Sequence, residues 1–192
     1  MNDILNSGEP LTPRRDPYFT IVVDDEISLG IPNEDDDELY YGLVKDNLDH
    51  LAPWMWWANE DFELDSSTQF IRDSLTDYYA GTAYPMWIYE KGVLVGSVQI
   101  RNLGSASKDV EVGYWLSEDA QGRGIATKAM SKLIDLAHEE YKFDRVVLQT
   151  AVNNEKSGRL AEQLGFVLEG IVLNDEQAEE KRYVKVMNDQ AA

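Results

Sequence analysis

The sequence predicts one α/β (α+β) domain, a mixed and mostly antiparallel sheet flanked by helices. Three observations carry that reading. The runs "YPMWIYE" and "VLVGSVQIRN" (84–102) are joined by Lys91-Gly92, the pattern of a tight antiparallel hairpin. Residues 110–150 read strand, helix, strand, a crossover that lays two strands parallel. The segments between them carry apolar residues at helical spacing. With 192 residues and 43% hydrophobic content, the chain has enough apolar surface for one sizeable core.

Taken in order, "FTIVVDD" and "ISLGI" form an opening strand or hairpin. Asn33 caps a helix over roughly 34–49, with acids in its first turn as the helix dipole prefers and with Leu39, Leu43, Leu48 and Leu51 suiting one face imperfectly. Pro53 breaks it. A second helix, 66–80, starts after Asp65 and carries Phe70, Ile71, Leu75, Tyr78 and Tyr79. The hairpin follows, then a third strand in "KDVEVGYWL". A helix over 124–140 has its stripe at Ile125, Ala129, Leu133, Leu136 and Ala137. "RVVLQTAV" is a strand, "NEKSGRLAEQLG" a short helix ending at Gly165, and "FVLEGIVL" and "KRYVKVM" are the last strands. Residues 1–17 read as an N-terminal extension, 18–187 as the domain and 188–192 as a tail.

The formal charge is −19, from 36 acidic and 17 basic residues. Such a field repels nucleic acid and anionic membrane surfaces, so neither is an expected partner. It suits either solubility or a cationic substrate such as an amine. No apolar run is long enough for a membrane span, and the start lacks the order of a signal peptide. There is no cysteine, hence no thiolate nucleophile or thiolate metal site. His50 and His138 have no partner at metal-ligand spacing, so no metal is expected. A cytoplasmic protein is the simplest inference.

The chemistry concentrates where the third strand meets the 124–140 helix, in "QGRGIA" (121–126). Glycines there leave peptide N–H groups uncovered, and a helix start offers unpaired N–H groups and the positive end of its dipole. Together they suit a phosphate or diphosphate. Arg123 adds a planar fork of donors. A Walker loop would need Gly-Lys-Ser/Thr, and the dinucleotide fingerprint a third glycine where Thr127 stands.

Gln121-Gly122-Arg123-Gly124-Ile125-Ala126 resembles the Gln/Arg-x-x-Gly-x-Gly/Ala signature of the GNAT N-acetyltransferase superfamily. The wider block 111–130 is similar to its RimJ/RimL branch, whose members acetylate the N-termini of ribosomal proteins. "AVNNEKSGRLAEQLGFVLEG" (151–170) resembles that branch's second block, and "HLAPWMWWA" (50–58) its aromatic loop. The resemblance implies a GNAT fold with a pantetheine slot between two splayed parallel strands, acetyl-CoA as cosubstrate, and direct transfer to an amine in a ternary complex. It implies that the amides of Gln121, Gly122, Arg123, Gly124, Ile125 and Ala126 hold the diphosphate. Backbone of Trp115 and Leu116 would pair with pantetheine, which Asn154 would also bond.

By the same resemblance Ser157 donates to the departing CoA sulfur. A thiol of ordinary pKa near 8.5 leaves better when its developing charge meets a donor. Asn154 also suits a helix cap, and Ser157 a plain first-turn position. Glu111 and Glu176 are the two candidate bases. Trp54, Trp56 and Trp57 suit either buried contacts or the wall of a substrate groove. The acceptor expected is a peptide or protein N-terminus; a small cationic amine (polyamine or aminoglycoside) is the rival, and a non-catalytic acetyl-CoA-binding module a third reading. Family members are often homodimers, although no interface follows from the residues.

Overall fold

The computed structural model describes residues 19–105, 109–174 and 177–187. The proposed extension 1–17, the tail 188–192, the boundary at residue 18 and the candidate base Glu176 lie outside those residues. The described elements in chain order are β1 (Thr20–Val22), β2 (Ile27–Gly30), α1 (Asp37–Lys45), α2 (Leu48–Leu51), α3 (Leu64–Ala80), β3 (Ala83–Glu90), β4 (Val93–Arg101), β5 (Asp109–Leu116), α4 (Ile125–Tyr141), β6 (Arg145–Ala151), α5 (Glu155–Gln163), β7 (Val167–Leu173) and β8 (Glu179–Val186). The strands form one sheet in the order β1-β2-β3-β4-β5-β6-β8-β7. Neighbours are antiparallel except β5 and β6, which are parallel and joined through α4. This is the mixed sheet that the sequence predicts.

Local chemistry explains most boundaries. Lys91 (φ 50°) and Gly92 (φ 81°) both turn left-handed, as a two-residue hairpin between twisted strands requires. Asn33 Oδ1 accepts from Asp35 N, and Asp36 Oδ2 accepts from Asn33 N, closing a capping box over a 3₁₀ turn at Glu34–Asp36. The expected helix 34–49 is therefore this turn plus α1 and α2. The break falls at Asn47, whose amide donates to Leu43 O (2.8 Å) and whose Oδ1 accepts from Glu118 N (2.8 Å). A polar side chain serving one backbone four residues back and another 71 residues on interrupts the helix, and periodicity gives no sign of it. α3 starts two residues earlier than expected because Glu63, not Asp65, forms its capping box with Ser66.

The sheet has two covered faces. Successive residues of a strand point to opposite faces, so laterally paired residues share one. Tyr84, Ile100, Val112, Leu148 and Tyr183 form such a row across β3, β4, β5, β6 and β8, and all five are buried. α4 and α5 lie over this face: Tyr84 donates to Glu140 on α4 (3.2 Å), and Gly158 on α5 lies against the Tyr183 hydroxyl. A Cβ on Gly158 would come 2.8 Å from that hydroxyl, so the mid-helix glycine permits the close packing of α5 on β8. The opposite face carries α1 and α3. Trp87 stacks on Tyr40 with centroids 4.6 Å apart and donates its indole N–H to Asp36 (3.0 Å).

One contact sets the curvature at the centre. The β3–β4 register slips between Ile88 and Tyr89, which leaves Val95 bulged beside Gly96. At Gly96 a Cβ would stand 2.2 Å from the Trp115 carbonyl oxygen and 2.9 Å from Leu116 Cα. Both are backbone atoms of the neighbouring strand, so only glycine fits. Gly113, by contrast, pairs regularly with Gln99, and its Cβ would meet only ordinary contacts. The bulge therefore belongs to β4 and not to β5. Gly96→Ala is expected to cost about 3 kcal/mol of stability because β5 must move away. Urea unfolding measures this, and a loss under about 0.5 kcal/mol would show that the approach is not limiting.

Candidate active site

β5 and β6 are parallel partners only from Asp109↔Arg145 to Val112↔Leu148. Beyond that row β5 continues to Leu116 and stays paired with β4, while β6 continues to Ala151 and stays paired with β8. The two strands therefore part, and the edges of Gly113–Leu116 and Gln149–Ala151 face a gap. Unpaired edge groups accept an extended ligand as they would another strand. Trp115 and Leu116, expected to offer backbone here, stand on the parted tip with their side chains buried.

The gap opens onto two helix starts. After β5, a 3₁₀ turn (Glu118–Ala120) leads to Gly122 and Gly124, both left-handed (φ 74°). A Cβ on either would meet nothing within 4 Å, so the backbone is bare to the outside. Gly124 caps α4 without a side-chain hydrogen bond, which leaves the first-turn N–H groups from Ile125 and Ala126 onward available. The cradle is narrower than the sequence suggests, because the Gln121 N–H donates to Glu118 O (3.1 Å). It suits an oxyanion at the positive end of a seventeen-residue helix.

Arg123 departs from its expected place. Its guanidinium donates to Glu90 (2.7 Å) and to Asp119 O (3.0 Å), and Glu90 is largely shielded. Its charge is thus matched by a carboxylate and its fork bolts the loop to β3. Gln121 instead carries a bridge. Its Oε1 accepts from Lys156 Nζ on α5 (3.0 Å), and its Nε2 lies 2.6 Å from His50 Nε2 on α2. Neither partner was legible, since His50 and Lys156 are 71 and 35 residues from Gln121.

α5 begins on the other side of the gap. Asn154 caps it, Oδ1 accepting from Ser157 N (3.1 Å), so the capping role is real and the Asn154 amide N–H₂ is not used by that bond. Ser157 is buried. Tyr114, on the parted tip of β5, faces it: burial pushes the Tyr114 phenol up, and the Ser157 hydroxyl beside it pulls the other way. Tyr114 was not singled out from sequence, where it reads as an ordinary strand aromatic.

The aromatic loop resolves into three roles. Trp56 and Trp57 line a cavity of about 310 Å³ with Tyr40, Asn59, Asp61, Phe62, Ser66 and Phe70. Trp57 also packs, partly buried, against the core, 6.3 Å from the Trp115 ring, which places this cavity against β5 on the α1 face. Trp54 is 38% exposed and does not line the cavity. Glu111 lies on the still-paired half of β5, bonded to Arg101 (2.6 Å), and borders a separate hollow with Asp109 and Arg182. It shares a face with Gly113 and Trp115 by alternation. Among the described residues no cluster of His, Cys, Asp or Glu could hold a metal, and no helix is long and apolar enough to cross a membrane.

Comparison with known proteins agrees with this geometry. Residues 29–167 match the acetyltransferase (GNAT) domain family. A Bacillus subtilis protein named as a ribosomal N-acetyltransferase (YdaF) is 31% identical over 153 residues, 79% of this chain and 84% of that protein. The ribosomal-protein-serine acetyltransferase of Escherichia coli is 26% identical over 89% of this chain and 98% of its own. The microcin C7 self-immunity acetyltransferase MccE, solved with acetyl-CoA and AMP, superposes with a TM-score of 0.79 at 32% identity, over 86% of this chain and 94% of that one. A parted parallel pair, a bare glycine turn on a helix start and a buried serine facing the gap fit an acyl-CoA thioester. This chain belongs to the GNAT acetyltransferase family and is an acetyl-CoA-dependent N-acetyltransferase.

Proposed function

We propose that the acceptor is the α-amine of a protein N-terminus, acetylated by direct transfer in a ternary complex. The parting of β5 from β6 is the observation that carries the reading. It leaves one extended slot, with an anion cradle outside and Ser157 within. The names of the two relatives above, both for ribosomal or ribosomal-protein acetylation, support the acceptor class.

Acetyl-CoA supplies the activated acetyl group. The N–H groups of Gly122 to Ala126 hold its diphosphate, and the free backbone of Trp115 and Leu116 pairs with the pantetheine arm. The Asn154 side-chain amide bonds the same arm. Ser157 donates to the sulfur as charge develops there, and Tyr114 keeps that hydroxyl oriented. An α-amine with pKa near 8 is roughly one-fifth neutral at pH 7.4, so a mild base suffices. Glu111 or Glu176 takes the proton, directly or through water. Trp56 and Trp57 wall the acceptor side, next to Trp115. Positioning and donor placement supply most of the rate.

A small-molecule amine is the second reading. The aromatic cavity with Asp61 suits a compact cation, and MccE was solved with a nucleotide beside acetyl-CoA. A thiol-release assay over N-terminal peptides, spermidine, aminoglycosides and amino-acyl nucleotides separates the two. Peptides are expected to react, with kcat/KM rising through about pH 8 as their α-amine loses its proton. Activity on the small amines alone would reject the peptide acceptor, and CoA binding without turnover would point to a regulatory module.

Two substitutions probe the slot. Ser157→Ala should lower kcat roughly 10- to 100-fold while the Kd for acetyl-CoA stays within about twofold. Unchanged turnover would remove Ser157 from the chemistry. Gly124→Val strains a left-handed position and fills the space above it, so calorimetry should show CoA affinity reduced by about tenfold or more. Wild-type affinity would mean that the diphosphate is held elsewhere.

A further inference from the structure

An acyl-CoA brings several negative charges to a protein of formal charge −19. Local cations must therefore offset the field, and most of those near the cradle are committed. Arg123 ends on Glu90 (2.7 Å). Lys128, in the first turn of α4, ends on Asp24 (2.8 Å), and that contact holds the Asp24 carboxyl down to about 2. Lys156 differs from both: its ammonium ends on the neutral Gln121 carboxamide (3.0 Å), so its charge is not cancelled.

The bond has a particular place in the fold. Gln121 follows the end of β5 and Lys156 follows the end of β6, so the contact crosses the mouth of the gap between the parted strands. The amide at its centre has one acceptor end and one donor end. An ammonium has only donors, so it takes Oε1. The Nε2 end then faces His50, which must accept on Nε2 and carry its proton on Nδ1. His50 thereby fixes the orientation of the carboxamide that holds Lys156.

We propose that Lys156 is a phosphate-binding cation of the acyl-CoA site, held ready across the mouth of the strand gap by Gln121 with His50 behind it. This rests on the acetyl-CoA reading above. The arriving phosphate oxyanion replaces the carboxamide oxygen as the partner of Lys156, exchanging a neutral acceptor for a charged one. His50 is a positioning residue that acts through Gln121.

The test is calorimetry of CoA, dephospho-CoA and pantetheine with wild type, Lys156→Met, Lys156→Gln and Lys156→Arg, each checked by thermal melt. Both neutral variants should bind CoA about tenfold more weakly, and Lys156→Arg within about twofold of wild type. Pantetheine, which has no phosphate, should bind all four alike. If the loss persists with dephospho-CoA the contact is to the diphosphate; if it vanishes, the contact is to the 3′-phosphate. Either supports the proposal. His50→Ala should weaken CoA binding about threefold in wild type and not at all in the Lys156→Met background, a coupling that mere destabilisation would not produce. Equal CoA affinity of the neutral variants and wild type, or an equal loss with pantetheine, would overturn the role of Lys156. Additive effects would overturn the role of His50. A wild type that ignores CoA while keeping its fold would overturn the acetyl-CoA reading itself, and this proposal with it.

Discussion

The close passage of β5 over Gly96 is the constraint on which the site depends. β4 carries an extra residue at Val95, and a bulge bends a strand and increases its local twist. β5 follows β4 through this bend because it stays paired up to Gly96↔Leu116. β6 has no reason to follow, since it is bound on its other side by β8 from Arg145 to Ala151. The parallel pair comes apart after Val112 and Leu148. A gap that costs seven residues one ladder partner each persists because the strands on either side remain held by their outer neighbours.

The closed end of the gap is fastened as deliberately as the mouth is left free. Arg145 of β6 and Arg182 of β8 both bond Glu169 on β7, at 2.8 and 2.9 Å, and both approach Asp109 at the start of β5. Arg182, foremost, holds the Glu169 carboxyl below its ordinary range. Each pair is at least partly open to solvent and worth little alone, whereas a network spanning four strands resists shear between them. Below it the row Tyr84, Ile100, Val112, Leu148 and Tyr183 runs unbroken across the sheet. The V has a pinned apex, a buried hinge row and an open end where α4 and α5 begin.

How much of this was legible follows the range of the interactions. Periodicity and turn chemistry place the strands, the hairpin at Lys91-Gly92 and the crossover through α4, because each is decided by neighbours in sequence. The glycine turn was legible for the same reason: positive φ and a bare helix start are local properties of Gly122 and Gly124. What escaped is long-range. Asn47 breaks a helix to bond Glu118, 71 residues away, and no propensity encodes that partner. Arg123 looks like an anion ligand until Glu90 comes within reach from β3. Gly96 is unremarkable in a strand until Trp115 lies across it.

The electrostatics of the cradle turn on that last kind of fact. A negative protein that must admit a polyanion has two ways to do it. It can accumulate lysine and arginine at the mouth, or it can present dipoles whose partial charges no carboxylate cancels. Here the arginine and lysine on the loop and helix start are neutralised by Glu90 and Asp24, so they stiffen the loop and add little net potential. The uncovered N–H groups of α4 keep their full partial charge, since nothing caps them. A formal charge of −19 resists an anionic cosubstrate and attracts a protonated amine. An anion site in an acidic chain is thereby a matter of backbone dipoles placed where no carboxylate cancels them, not of net charge.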